Sequence, residues 1–495
     1  MIRRLVPVFL FVAALSDGAH ALLPPPVARA FRNAGVPADA VTLVVQETGA
    51  AKPLIAHNPA KPMNPASVMK LVTTFAALEL LGPEYHWTTD AYLDGALENG
   101  VLHGNLVLKG HGDPKITVEQ WQAFMTALTM HGLAAVEGDL VLDRSFFAPI
   151  AHDPGAFDGE PLKPYNVGPD ALLVNFKSMR FAFAPNVAGN GTDVTVVPAL
   201  ASVSIAPLPR LAAGDCGDWR DTVGATFVDR GNSAEASFTG RYAASCGEHE
   251  WWVSLLDHPA YVHAMFATYF REAGGRFAGG WKNGLAPKGA IPFATLESPP
   301  LYVVVRDVNK LSNNVMARQV FLTLATANRP PPATTAGATA TVRRWLASHK
   351  LKMPELVLDN GSGLSRHERI SAGSLVKLLL AADASPVREE FAASLAVAAM
   401  DGTVERRFQN VNVAGQALLK TGTLEGARAI AGYVIDADGR RWALAAIANH
   451  PNANNAQGAL DFFVQWVYRN ATTWESLNHA ALGMPGEMPR HALTH

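Results

Sequence analysis

Ser67 and Lys70 stand three residues apart in Asn64-Pro65-Ala66-Ser67-Val68-Met69-Lys70. On a helix, residues i and i+3 share a face, so the serine hydroxyl and the lysine amine come within hydrogen-bond reach. A serine becomes a useful nucleophile only when a base takes its proton. A lysine can be that base only when neutral, a state favoured by burial or by a neighbouring cation. Pro65 biases Asn64 towards extended backbone. The apolar run Leu71 to Leu81 carries the helix into a core, and Gly82-Pro83 stops it. Ser67 is thus expected at the positive end of a buried helix, beside free N–H groups suited to an oxyanion.

One Ser-x-x-Lys pair proves little, since about one is expected by chance in a chain this long. A second occurs at Ser374-Leu375-Val376-Lys377. Order separates the two. Ser67 is followed by Ser312-Asn313-Asn314 and then by Lys420-Thr421-Gly422-Thr423, whereas Ser374 comes after the second of these and is read as the start of an ordinary helix. Each later motif has a use. Ser312 can relay the proton to a leaving amine between two lysines. Asn314 can orient Lys70 and bind substrate backbone. Lys420, on an edge strand, offers a positive charge to a carboxylate, beside Thr421, and helps to depress the Lys70 pKa. Gly422 lets a substrate lie close to the strand. The N–H groups of Ser67 and Thr423 can form an oxyanion hole, worth about 3 kcal/mol per donor. Taken singly, Ser312-Asn313-Asn314 reads equally as a polar loop or cap, and Lys420-Thr421-Gly422 as a strand end.

The ordered set S-x-x-K, S-x-N, K-T-G is that of the penicillin-recognising serine enzymes. Within them the chain resembles the low-molecular-mass class C penicillin-binding proteins, the D-alanyl-D-alanine carboxypeptidase and endopeptidase family. Asp359-Asn360-Gly361-Ser362-Gly363-Leu364-Ser365-Arg366 and Met400-Asp401-Gly402-Thr403-Val404 resemble two further family stretches, and Leu106 to Pro114 and Asp143 to Phe147 resemble its inserted region. The resemblance covers nearly all of the chain after its leader. It implies a periplasmic enzyme that acts on peptidoglycan stem peptides through an acyl-enzyme, is acylated by β-lactams and needs no cofactor or metal. It also implies a pocket for the zwitterionic end of a diaminopimelate side chain. The candidates there are Asp143 for the ammonium, Phe147 as an apolar wall and Arg366 for the carboxylate, with Glu425 aiding the ammonium or pairing with Arg366. Glu425 stands where members often carry Gln. A serine β-lactamase is the nearest rival, but no Glu-x-x-Leu-Asn setting lies between the second and third motifs. A non-catalytic wall-binding protein would need neither lysine.

Composition sets bounds. The 495 residues carry 41 Lys plus Arg against 43 Asp plus Glu, a formal charge of −2, which gives no basic field for nucleic acid. The 16 histidines include no His-Glu-x-x-His metal motif. Met1-Ile2-Arg3-Arg4, the apolar run Leu5 to Leu15 and Ala19-His20-Ala21 read as a secretory signal peptide spanning 1–21. The run is too short for a membrane span. The two cysteines, Cys216 and Cys246, form one disulfide or remain as two buried thiols.

Along the chain, a Val41–Glu47 strand and its Leu54–His57 return precede the Ser67 helix. Trp87 to Leu93 and Val101 to Leu108 read as strands joined across Glu98-Asn99-Gly100. Val118 to Met130 and Tyr261 to Ala273 read as helices, Val136 to Leu142 as a strand, and Trp251-Trp252-Val253 as core-facing strand. Leu301 to Val305 opens a new region, helical from Asn309 onward. Ala417 to Thr421 is a strand. Ala429 to Asp436 and Arg441 to Ala448 form a hairpin, and Ala459 to Tyr468 an amphipathic helix. About 240 residues separate Lys70 from Ser312, far more than one domain needs to join them. The expectation is an α/β (α+β) fold. A catalytic domain from 22–87 and 291–482 builds an antiparallel sheet covered by helices. One or two β-rich domains are inserted at 88–290, the inner at about 194–257, and a disordered tail covers 483–495.

Overall fold

The computed structural model describes residues 23–481. The expected leader 1–21 and tail 483–495 lie outside the described residues.

The chain's two ends build one sheet. Its strands run, in spatial order, Ala396–Val397, Ala417–Leu424, Ala427–Ile435, Arg441–Asn449, Val41–Glu47 and Ile55–His57, and every neighbouring pair is antiparallel. Side chains alternate between the two faces, as a period of two requires. Ala429, Ala431 and Tyr433 join a core that contains Leu71, Val72 and Phe75 of the helix Lys70–Leu81. Ile430, Val434 and Trp442 face Phe31, Phe463 and Val467 on the opposite side, from the helices Pro25–Asn33 and Gln457–Ala481. The β-branched run after Pro300 is helical from Leu301 to Lys310. Leu301, Val304, Val305 and Val308 are all buried there, a one-sided helical stripe in which burial outweighs the strand preference of valine.

The intervening chain leaves and returns through one neck. Trp87 N–H donates to Ser298 Oγ and Ser298 N–H to Trp87 O, both at 2.9 Å. Thr88–Glu98 pairs with Val101–Gly110 across Asn99 and Gly100, which both hold positive φ, 49° and 82°, as a two-residue hairpin turn demands. Ala294–Glu297 pairs back onto Thr88–Ala91, so the insert closes beyond the expected residue 290. The expected strand Val136 to Leu142 is two strands, Ala135–Val136 and Leu140–Asp143, interrupted where Gly138 N–H bonds Gly104 O. The helix Val118–Met130 ends where expected and carries a Thr117–Gln120 capping box. A further pair of sheets contains Met179–Pro185, Thr192–Val197 and His249–Val253 in one and strands between Val203 and Ala243 in the other. Met179–Pro185 therefore belongs with the inner unit and lies before its expected start at residue 194. Trp252 is 47% exposed, so only its neighbours on the strand face inward. Cys216 and Cys246 are bridged.

Candidate active site

The turn that carries Ser67 is a 3₁₀ segment, Ala66–Met69, that runs into the helix at Lys70. Ala66 holds φ 48°, an uncommon state for a residue with a Cβ. Two glycines press on this turn. A Cβ on Gly422 would lie 2.4 Å from Pro65 O and 3.1 Å from Ser67 N; one on Gly363 would lie 2.0 Å from Ala66 O. Gly422 thus lets its strand pack onto the Ser67 turn, a more basic need than room for substrate.

Lys70 is fully buried. Its Nζ lies 3.0 Å from Ser67 Oγ and 2.6 Å from Asn314 Oδ1, and it also bonds Ser362 O. A neutral amine has two N–H bonds and one lone pair. The two carbonyl-type oxygens of Asn314 and Ser362 take the donors, which leaves the lone pair for the Ser67 hydroxyl. Asn314 opens the helix Asn314–Thr323, and Asn313 caps it through Met316 N–H. Ser312, at φ 58°, turns its hydroxyl to accept from Lys420 Nζ at 2.9 Å. Lys420 also donates to Thr421 O. The five residues of the three motifs therefore form two lysine–serine pairs, with Asn314 joined to the first.

Lys420 lies on Ala417–Leu424, whose neighbour Ala396–Val397 pairs only with Leu418 and Leu419. From Thr421 onward no strand among the described residues pairs with this edge, and an extended peptide can add there. Thr421 Oγ1 donates to Thr403 Oγ1 at 2.8 Å, and Thr423 Oγ1 accepts from Arg428. Asp401 accepts from Val397 N–H and pairs with Lys310, which ties this edge to the loop that carries Ser312.

Burial, then the charge of Lys420, hold the Lys70 pKa well below the usual lysine range; Glu368 pushes the other way and Arg318 adds to the fall. Burial brings Lys420 down to about 7. The signs predict a bell. In the roles expected from the sequence, reactivity rises with pH as Lys70 loses its proton and becomes a base. Recognition of an anionic substrate falls as Lys420 loses its own. For the free enzyme, kcat/KM on a carboxylate-bearing substrate is expected to turn downward near pH 7. A profile that climbs steadily to pH 9 would remove Lys420 from anion recognition.

Arg366 and Glu425 come together at the surface: Arg366 Nη1 donates to Glu425 O at 3.1 Å, and the side chains pair at 3.5 Å. The guanidinium covers the Phe157 ring at 4.6 Å. Asp143 and Phe147 are not part of this group. Asp143 is 2% exposed. One of its oxygens accepts from Ser145 N–H and Oγ, the other from Ala286 N–H, so its carboxylate is spent on a turn. Phe147 is buried against Phe146 and beneath Gly112. A cavity of about 400 Å³ is lined instead by Asp153, Phe157, Arg318, Asn360 and Arg366 among others. Phe157 packs against the Ala66, Leu364 and Leu424 cluster next to Ser67. Sequence reading missed Asp153, which sits exposed in a loop without periodicity, and Glu368, buried within a polar run. Ser374 takes the expected place: Ser371 caps its N–H, and its hydroxyl bonds Glu355.

The family model for D-Ala-D-Ala carboxypeptidase 3 (S13) matches residues 27–467. The D-alanyl-D-alanine carboxypeptidase DacB of Haemophilus influenzae is 24% identical over 386 residues, 78% of this chain and 80% of the relative. The D-alanyl-D-alanine carboxypeptidase of an Actinomadura species is 26% identical over 434 residues, 80% of this chain and 75% of the relative. The crystal structure of Haemophilus influenzae penicillin-binding protein 4 shares the fold, with a TM-score of 0.72 over 93% of this chain and 99% of that one at 22% identity.

Proposed function

The chain belongs to the D-Ala-D-Ala carboxypeptidase 3 (S13) family and is a DD-peptidase; from this premise we propose that it cleaves peptidoglycan stem peptides through an acyl-enzyme on Ser67. The observation that carries the reading is Lys70 Nζ, buried, 3.0 Å from Ser67 Oγ, with the Ser312–Lys420 pair alongside. Lys70 takes the hydroxyl proton as Ser67 attacks the D-alanyl carbonyl. The N–H groups of Ser67 and Thr423 receive the oxyanion. Ser312 passes a proton to the departing D-alanine, whose carboxylate rests on Lys420 and Thr421. Water then releases the acyl group. A β-lactam carbonyl enters the same path, and the acyl-enzyme it leaves is slow to hydrolyse. Product analysis on purified cross-linked muropeptides tests the reading. Release of terminal D-alanine marks the carboxypeptidase, scission of cross-links marks an endopeptidase, and neither product would overturn it.

The diaminopimelate end is assigned to the Arg366 cavity, with Asp153 replacing Asp143 as the partner of the ammonium. Asp153 and Arg366 line one cavity with Phe157 as its apolar wall, and opposite charges suit a zwitterion. Asp153→Ala is expected to lower kcat/KM on diaminopimelate-containing peptides about 10- to 100-fold and to leave penicillin acylation near wild type, since penicillin lacks that side chain. Asp143→Ala is expected to weaken both together, through the loss of its turn. Equal losses in Asp153→Ala would withdraw the assignment.

The Met1–Ala21 leader supports export to the periplasm, and no helix among the described residues is long and apolar enough to cross a membrane. Mass spectrometry of periplasmic protein should find the first 21 residues absent; an intact Met1 there counts against cleavage.

A further inference from the structure

Glu368 is completely buried, an expensive place for a carboxyl group unless it has work to do. One of its oxygens accepts three backbone N–H groups, from Asp359 at 3.3 Å, Asn360 at 3.1 Å and Gly361 at 2.8 Å. Its other oxygen is buried with no hydrogen-bond partner among the described residues. The turn gathered around the first oxygen is the one that floors the active site. Gly361 O accepts the Thr73 hydroxyl at 2.7 Å, and Ser362 O accepts from Lys70 Nζ. Gly363 of the same turn packs on the peptide before Ser67. The Glu368 carboxylate thus stands behind one of the two acceptors that aim the Lys70 lone pair.

We propose that Glu368 is a positioning residue for Lys70: its buried carboxylate gathers the Asp359, Asn360 and Gly361 N–H groups and so holds the Ser362 carbonyl against the Lys70 amine. The inference rests on reading Lys70 as the base. The charged groups around the pair come from four elements. Lys70 lies on the helix Lys70–Leu81, Arg318 on the helix Asn314–Thr323, Asp359 on the turn itself and Lys420 on the strand Ala417–Leu424. Lys420 and Arg318 push the Lys70 pKa down, whereas Glu368 pushes it up. Glu368 in turn is raised by burial and by Asp359, and lowered by its three N–H bonds. Without Glu368, the two cations Lys420 and Arg318 would push the Lys70 pKa further down and the Ser362 turn would lose its template.

Two substitutions separate the charge from the cradle. Glu368→Gln keeps an acceptor oxygen for the three N–H groups and removes the charge. Glu368→Asp keeps the charge and shortens the reach. The readout is the pH dependence of penicillin acylation, with near-ultraviolet circular dichroism to confirm folding. In Glu368→Gln the acid limb should move down by about one pH unit. In Glu368→Asp the limb should stay and the plateau should fall about tenfold. An unmoved limb in Glu368→Gln, or a shifted limb in Glu368→Asp, overturns the role of the charge; should the first variant not fold, the second decides alone. If the wild-type profile has no acid limb and Lys70→Ala is acylated normally, the reading of Lys70 itself falls, an outcome distinct from failure at Glu368.

Discussion

Ser67→Ala is expected to lower turnover of a D-alanyl-D-alanine peptide by about 10⁶ and to abolish covalent labelling by a fluorescent penicillin. The size follows from the arrangement. Among the described residues, Ser67 is the hydroxyl bonded to the Lys70 amine, at 3.0 Å, whereas Ser312 is bonded to Lys420 at 2.9 Å. The variant should fold, because a smaller side chain in a turn already packed by Gly363 and Gly422 introduces no clash. Ser374→Ala serves as the control. Ser374 lies on the helix Ala372–Asp383, and its hydroxyl bonds Glu355 in the turn before that helix, so labelling should persist. Normal labelling of Ser67→Ala, or lost labelling of a folded Ser374→Ala, would sink the assignment.

Lys70→Ala should be nearly as severe, since the group that accepts the serine proton disappears. Members of a catalytic unit act together, and removing either partner forfeits most of what the pair supplies. The structural consequence is secondary. Its removal leaves Asn314 Oδ1 and Ser362 O each without a donor, at about 1–3 kcal/mol. Thermal unfolding should therefore fall by a few degrees while acylation falls by several orders of magnitude. An acylation rate within tenfold of wild type would show that another group takes the proton.

Much of this was legible because motif chemistry and local structure agree. The order Ser67, Ser312, Lys420 could be read without knowing how far the insert displaces them, and the sheet brings them together whatever lies between. Asn99-Gly100 forces its hairpin through backbone conformation alone, and the capped helix Val118–Met130 carries its own boundaries. Asp143 shows where such reading fails. It follows a strand and resembles a site residue, yet Ser145 two residues on offers it an N–H and a hydroxyl, and a short carboxylate bonds such a neighbour before it reaches outward. Glu368 fails in the opposite sense. Within Ser365-Arg366-His367-Glu368-Arg369 it reads as one more surface charge, and only the fold reveals three N–H groups converging on it. Asp153 lies in a loop whose placement depends on contacts between insert and catalytic core, such as Phe157 with Leu364 and Leu424, and no periodicity announces those.

The central claim is that Ser67 is the acylated residue, with Lys70 as its base. The most direct measurement is mass spectrometry of the protein after exposure to benzylpenicillin, followed by proteolysis and mapping of the adduct. The account predicts one penicillin per chain, carried on Ser67, with no adduct in Ser67→Ala. An adduct on any other residue, Ser374 or Ser312 included, would contradict it.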